Sequence, residues 1–557
     1  MSNIPASLSG WASVRYVEVD NSSIVSADSS LTFGALLSAS NGPVLDVIQL
    51  SDATTQAGLF GEPTSLNRTE WQNIARVFKY KSGLIGGTAN MVRVIGENSL
   101  NQALAVTITE VINQTDLTTM LIRNETEAEN PTVVFDTHTV ANTGDDTVAK
   151  LKFFSKYPTT DVYKIALTNA TDFATADIVD GVSFLNNFDD APTGTELAIA
   201  ILDSDNDILE KHIVDMTDGN LNDEGVSNYI ETVINENSAY LLVYSNASVI
   251  GVPISFEGTA LTKGVNVAPI KADYIEGLAL FEDFQTVNIH YFLGNNICIP
   301  EMISLCHNRL DCQLIWSAPL STVVGKDNIT ATSNLVTYAG TTVNTTSTYS
   351  EFFGNAIMFY DKYAARNVWG EVAGDMVGLR ILKNLTGNPW EASAGLNYGQ
   401  LREVVKLAVN FKPAQQITLQ KNKVNPVVNK PGKGLVSWGI QNYTTKKSAL
   451  LDSTVRGLLV TIWRAARESL EWDLFEINDQ LTRSQIQSKL ESFMANIQSN
   501  RGVTEFVVTC DTTNNTPQII DQNQMVVTIR LIPTRIAKEI ILQTVLERTG
   551  ADLSETF

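Results

Sequence analysis

Catalysis needs proton carriers, nucleophiles or metal ligands that converge, and the scarcest of these here is histidine. Only four occur in 557 residues: His138, His212, His290 and His307. Histidine is the commonest proton carrier near neutral pH, yet none of the four lies in a motif that pairs it with a nucleophile or an acid. Cys298, Cys306, His307 and Cys312 supply zinc-binding atom types, but their spacing contains no CxxC or HxxxH pair. Small apolar thiols packed in a core account for them better, and no metal or cofactor is expected. The run Pro431, Gly432, Lys433, Gly434, Leu435 holds a Gly-Lys step without the earlier glycine or the following Ser/Thr of a phosphate loop, so it reads as a turn. Asp145 with Asp146 and Asp189 with Asp190 lie in polar stretches where paired carboxylates are ordinarily solvated surface. Asn-x-Ser/Thr triplets at Asn67, Asn124 and Asn328 follow from a chain rich in Asn and Thr, and without a signal peptide they predict no glycans. These residues argue against an enzyme and leave assembly as the work to be explained.

The elements that carry such work are legible in places. SVRYVEV at 13–19 alternates partly and ends as a half-buried strand. Trp71, Ile74, Ala75 and Phe78 have helical spacing, and Gly83, Gly86 and Gly87 break that helix before the strand MVRV. Residues 101–149 are Thr/Asn/Glu-rich with short alternating pieces, the pattern of a β-rich insertion. Apolar runs at 198–202 and 240–244 flank the helical segment VSNYIETVINEN and suggest an α/β layer. The runs 287–293 and 310–316, with the helix EMISLCHNRL between them, continue the alternation, and the Gly/Ser/Thr-rich stretch 322–350 reads as a long loop. Near the C-terminus, Val455, Leu458, Leu459, Ile462, Trp463, Ala466 and Leu470 form one helical stripe over 452–473. Ser484 with Gln487 predicts a capping box for a second helix. Strands are expected at 503–510, 525–531 and 540–546, with Pro533 bending the chain before the last.

Composition frames these pieces. A chain this long exceeds one core and predicts several domains. Hydrophobic residues at 44 % and charged residues at 18 % describe a folded protein, and no apolar run reaches the length of a membrane span. The first twenty residues lack a basic then apolar leader, and four cysteines are too few for a disulfide framework, so folding in a cytoplasm is expected. The net charge of -22 is unevenly spread. Residues 1–360 carry 16 Lys and Arg against 42 Asp and Glu, whereas 361–557 carry 23 against 19. Between Arg402 and Lys447, nine bases meet the single acid Glu403. Phosphate contacts would reward such a cluster, but the acidic remainder would repel nucleic acid, which favours an acidic protein partner.

The strings DCQLIWSAPLSTVVG, FYDKYAARNVW, GLNYGQLREVVKLAVNFKPAQ and, most specifically, VVTCDTTNNTPQIIDQNQMVVTIRLIPTRIAKEIIL resemble the tail sheath proteins of T4-like contractile-tailed phages. GPV at 42–44, LFGEPT at 59–64 and NMVRV resemble the same family's N-terminal region. The likeness spans most of the chain and is weakest between about 101 and 250.

The resemblance implies an α+β multidomain fold. Expected are an N-terminal arm at 1–24, an outer α/β domain from 25–100 and 150–345, the β-rich insertion at 101–149, a C-terminal sheath core of mixed sheet and helices at 346–532, and a C-terminal arm at 533–557. It further implies a helical homopolymer of sheath subunits around a tail tube protein, bounded by baseplate and tail terminator proteins, assembled in the host cytoplasm and resident in the virion tail. No membrane insertion, direct nucleic-acid contact, cofactor or metal follows from it. Strand exchange between subunits is part of the resemblance, and the candidates are Val14, Tyr16, Val17 and Val19 with Ile540, Leu542, Thr544 and Leu546. Candidate contacts to an acidic tube are Arg402, Lys406, Lys430, Lys433, Lys446, Lys447, Arg456, Arg464 and Arg467. The sheath of a contractile bacteriocin or secretion system is the rival within the class, and an enzyme with an unrecognised polar site is the rival outside it.

Overall fold

The computed structural model describes residues 31–80, 87–112, 117–129, 131–139, 146–222, 225–538 and 541. The chain divides into two compact units, one from residue 30 to 460 and one formed by 461–557 with 1–29.

The larger unit is built on an eight-stranded sheet. Its strands are β1 (Thr32–Leu37), β2 (Val47–Leu50), β3 (Thr88–Arg93), β4 (Tyr291–Leu293), β5 (Gln313–Ser317), β6 (Ser350–Gly354), β7 (Val424–Lys430) and β8 (Gly434–Ser437). They are ordered β2-β3-β1-β4-β5-β6-β7-β8. The six inner strands run parallel, and β2 and β8 close the edges antiparallel. Parallel strands need both faces covered, which is why β1, β5 and β6 are buried along their whole length. One face packs Phe292, Leu314, Trp316 and Phe352 with the helix Ile299–Arg309, and Trp316 stacks on Phe352 at 4.0 Å. The other packs Phe33, Met91, Tyr291 and Ile315 under the helices α1 (Arg68–Phe78) and α2 (Ala373–Thr386). These two helices approach closely because α2 carries glycine where it meets its neighbour: a β-carbon on Gly374 would lie 1.9 Å from the Asn73 carbonyl oxygen. Across the contact Arg76 donates to both Asp375 oxygens at 2.5 Å.

The middle of the chain forms two antiparallel four-stranded sheets, and the expected helix between the runs 198–202 and 240–244 is present as Ile230–Asn237, with Ile230 and Ile234 buried against Leu197, Ile199 and Leu241. One orders Ile208–Asp215, Glu196–Leu202, Lys164–Asn169 and Phe256–Ala260; the other orders Leu241–Ser245, Leu151–Ser155, Ala103–Val106 and Val111–Ile112. Large and small residues alternate along 196–202, so Leu197, Ile199 and Ile201 enter one core with Phe153 and Val243, and Ala198, Ala200 and Leu202 enter another with Phe173 and Phe184. The expected insertion at 101–149 is not separate. Its strand 103–106 pairs in register with 151–154, so the sheet crosses the boundary. The expected edge at 345/346 is likewise crossed, because β5 pairs with β6 in one sheet. Charge and composition register surface character, whereas strand pairing decides where a core ends.

The stretch 322–350 also departs from its reading as a loop. It holds the helix Asn328–Thr337, capped by Asp327 accepting from the Ile329 and Thr330 amides, and a widened turn to Val343. Ala331, Leu335, Ala339 and Val343 recur every four residues and are buried, a stripe that outweighs the poor helix propensity of the Thr, Ser and Gly between them.

The helix α3 (Pro413–Lys421) precedes β7. The helix α4 (Ser453–Glu471) realises the expected stripe, and α5 (Gln480–Ser499) follows. The N-cap of α5 is Asp479, whose carboxylate accepts from the Thr482 amide at 2.8 Å; Ser484 lies inside the helix and donates to the Gln480 carbonyl, so the helix starts five residues before the expected cap. Ile486, Leu490, Met494 and Ile497 of α5 face a hairpin of β9 (Val503–Thr509) and β10 (Thr528–Pro533). Pro533 is the last residue of β10, opposite Val503.

Candidate assembly surfaces and a buried acid pair

The groups that chemistry would require are dispersed. His212 meets Glu210 at 3.2 Å, His290 Nδ1 lies 3.2 Å from the Thr32 amide and hydroxyl, and the His307 ring sits edge-on to Tyr349. Each serves its own neighbourhood. Cys298, Cys306, Cys312 and Cys510 are all buried, and burial pushes the Cys298 thiol up to about 12, away from nucleophilic use. Among the described residues no group of three or more His, Cys, Asp or Glu is placed to hold a metal ion. The Pro431–Gly434 run is the turn between β7 and β8, with Gly432 at φ 72° and Gly434 at φ 90°, as a hairpin requires.

A cavity of about 370 Å³, lined by apolar side chains and a few acids and amides, lies beyond the C-terminal ends of β1 and β4. This is where parallel sheets ordinarily receive ligands, so it is the place an enzyme would use. Its lining includes Glu70, Asn73, Asn295, Asn296 and Glu371, but no histidine, lysine or cysteine. Glu70 accepts from the Ser38 amide, Tyr274 and Asn295 at 2.8–3.0 Å. Glu371 accepts from Asn296 at 2.5 Å, Asn73 at 3.3 Å and Ser317 at 3.4 Å. Burial raises both carboxyls, and the nearby Glu70 charge helps push Glu371 up to about 8. The pair ties α1 to the turn after β4 and to the start of α2. Sequence gave no warning of it, since Glu70 and Glu371 lie 301 residues apart and neither belongs to a motif.

The strand candidates Val14, Tyr16, Val17, Val19, Ile540, Leu542, Thr544 and Leu546 lie outside the described residues. The β9–β10 hairpin is a two-stranded sheet, and among the described residues neither outer edge is paired. Val507 and Ile532 stand exposed on it. Two strands alone are marginal in water, and this pair is held by α5 beneath it and by its connection. There Asn514 donates to the Thr509 and Val526 carbonyls, and Asn515, 1 % exposed, exchanges hydrogen bonds with Val526.

The basic candidates separate by environment. Lys406, Lys433, Lys446 and Lys447 are exposed. Lys430 stacks on Trp438 at 3.9 Å, and Arg402 is exposed, with its guanidinium over Tyr80. Arg456 is buried against Thr348 and the Tyr349 ring. In the second unit Arg467 pairs with Glu471 at 3.5 Å and lies over Trp463, and Arg464 is half-buried. The list thus mixes surface charge with groups already engaged, a distinction invisible in a string of letters.

Residues 445–547 match the family model of the phage tail sheath C-terminal domain. The tail sheath protein of Enterobacteria phage T4 is 32 % identical over 324 residues, 54 % of this chain and 49 % of that protein. The tail sheath protein of Vibrio phage KVP40 is 32 % identical over 305 residues, 51 % of this chain and 46 % of that one. The chain thus spans about half the length of the curated relatives it matches. In fold it is similar to the sheath tail protein of Listeria innocua, with TM-score 0.53 at 10 % identity over 91 % of this chain and 96 % of that one. The sheath tail protein of Desulfitobacterium hafniense gives TM-score 0.52 at 11 % identity over 94 % and 100 %. The mixed α/β fold and the resemblance read from the sequence are both borne out: this chain is similar to phage tail sheath proteins, and its residues 445–547 match the C-terminal domain of that family.

Proposed function

We propose that the protein is a structural subunit of a contractile tail sheath, polymerising helically around a tail tube and shortening to drive that tube through a host envelope. The observation that carries this reading is the β9–β10 hairpin, a sheet that has only two strands among the described residues and lies inside the segment that matches the sheath domain. Near-terminal strands at 14–19 and 540–546 from neighbouring copies would complete it by main-chain pairing. Each net hydrogen bond is worth roughly 0.5–1.5 kcal/mol, so a five-residue strand contributes a few kcal/mol per junction. Such links hold subunits together while their units rotate as rigid bodies. A modest free-energy difference per subunit between a long and a short helix then sums along the polymer into a one-way stroke. The interface has to be heterologous and non-closing, because a closed symmetry would stop growth.

The partners that follow are neighbouring subunits, a tube protein, and baseplate and terminator proteins at the ends. For the tube, Lys406, Lys433, Lys446 and Lys447 are the leading contacts, because they are exposed, and Lys430 follows, half-buried over Trp438. Arg456 has the weakest claim, its guanidinium being engaged inside the unit. Assembly in the host cytoplasm and residence in the virion tail belong to the same reading. Removal of residues 1–20 tests it: the truncated chain is expected to remain folded and unassembled, and sheaths of normal yield from it would overturn strand exchange.

A further inference from the structure

The connection between α4 and α5 carries an unusual surface. Trp472, Leu474, Phe475, Ile477 and Leu481 are 85, 61, 105, 77 and 66 % exposed. Single exposed leucines are common, but five large apolar side chains within ten residues form a patch of the kind that marks a docking site. The exposure is built in. Asp473 is held by Lys489 at 2.8 Å on one side, Asp479 caps α5 on the other, and Phe475 is kept at φ 69°, a backbone region unfavourable for a residue with a β-carbon. The rim is acidic: Glu468, Glu471, Asp473, Glu476 and Asp479 fall in this stretch, with no base between the first and last.

A surface of opposite character lies on α3. This helix buries only Leu419 and leaves Pro413, Ala414, Ile417 and Thr418 exposed along one side, with Lys412 and Lys421 exposed at its two ends. Ile417 is 53 % exposed. An apolar centre with a basic border is what an apolar tip with an acidic border would select. We propose that the 472–481 tip of one copy docks on the exposed face of α3 in a second copy of the chain. The inference rests on the helical-polymer reading and adds to it a side-chain contact distinct from the strand junctions.

The test uses the full-length chain. Phe475→Cys combined with Ile417→Cys is expected to give an oxidation-dependent ladder of oligomers, with neither single variant doing so; the four native cysteines are buried. Phe475→Ser, with an unchanged melting profile, is expected to lower the sedimenting polymer several-fold. Glu476→Lys and Lys421→Glu should each weaken assembly and together restore it. Normal polymers from Phe475→Ser would overturn the docking and leave the sheath reading standing. Loss of assembly without the cross-link and without charge-swap rescue would assign the tip to another surface, such as the tube, and overturn it equally. A wild-type chain that never polymerises would remove both.

Discussion

The most informative single residue is Glu371. Its carboxyl is sunk among Asn73, Asn296 and Ser317 with no cation to neutralise it, and burial raises its pKa to about 8 against an ordinary value of 4.5. Between those values the folded chain keeps a proton that the unfolded chain has released. Stability therefore falls as pH rises from about 4.5, by about 1.4 kcal/mol per unit from this group, and levels off above about 8. Glu371→Gln is expected to remove one proton's worth of that slope, as read by urea denaturation across pH 5 to 9. An unchanged slope would mean that Glu371 is already ionised in the fold. The buried pair Arg380–Glu351 is a direct ion pair instead. Arg380 donates to both carboxylate oxygens at 2.6 and 2.8 Å and to Ser453, so Arg380→Ala strands a buried charge and should cost about 3–5 kcal/mol. A loss under 1 kcal/mol in the same denaturation assay would show that water reaches Glu351.

At the scale of elements, the second unit depends on how α5 supports a hairpin too small to stand alone. Met494 is completely buried, so Met494→Ala is expected to destabilise this unit by about 2–5 kcal/mol. Amide exchange in β9 and β10 should then accelerate while exchange in β4 to β6 does not; equal acceleration in both would show that the two units unfold as one. The helices α4, α5 and 299–309 are readable in the sequence because their apolar residues repeat at one clear period. What escaped reading has physical causes. The helix at 328–337 hides behind Thr and Ser, whose propensity is poor, while its buried stripe of Ala331 and Leu335 is short. The antiparallel sheets at 103–260 were masked because runs such as 197–202 are buried on both faces and show no alternation of polarity. The acid cavity joins residues from α1, the turn after β4 and the approach to α2, a convergence that only tertiary folding creates.

For the whole molecule, the account assigns different work to the two units. The unit 30–460 is a layered body around a largely parallel sheet, and among the described residues no helix is long and apolar enough to cross a membrane. In the unit containing 461–557, the β9–β10 hairpin has no third strand among the described residues. If the lysines of the β7–β8 turn meet an acidic tube, Lys430→Glu with Lys433→Glu should reduce tube-templated assembly while leaving tube-free polymers intact, as measured by co-sedimentation with purified tubes. Unchanged templating would move the contact elsewhere on the chain. The central claim, that this chain exists to polymerise, is tested most directly by negative-stain electron microscopy of the purified full-length protein over a range of concentrations. The account predicts hollow helical tubes of uniform width that disappear when residues 1–20 are removed. Isolated globular particles at every concentration, with and without the tube protein, would contradict it.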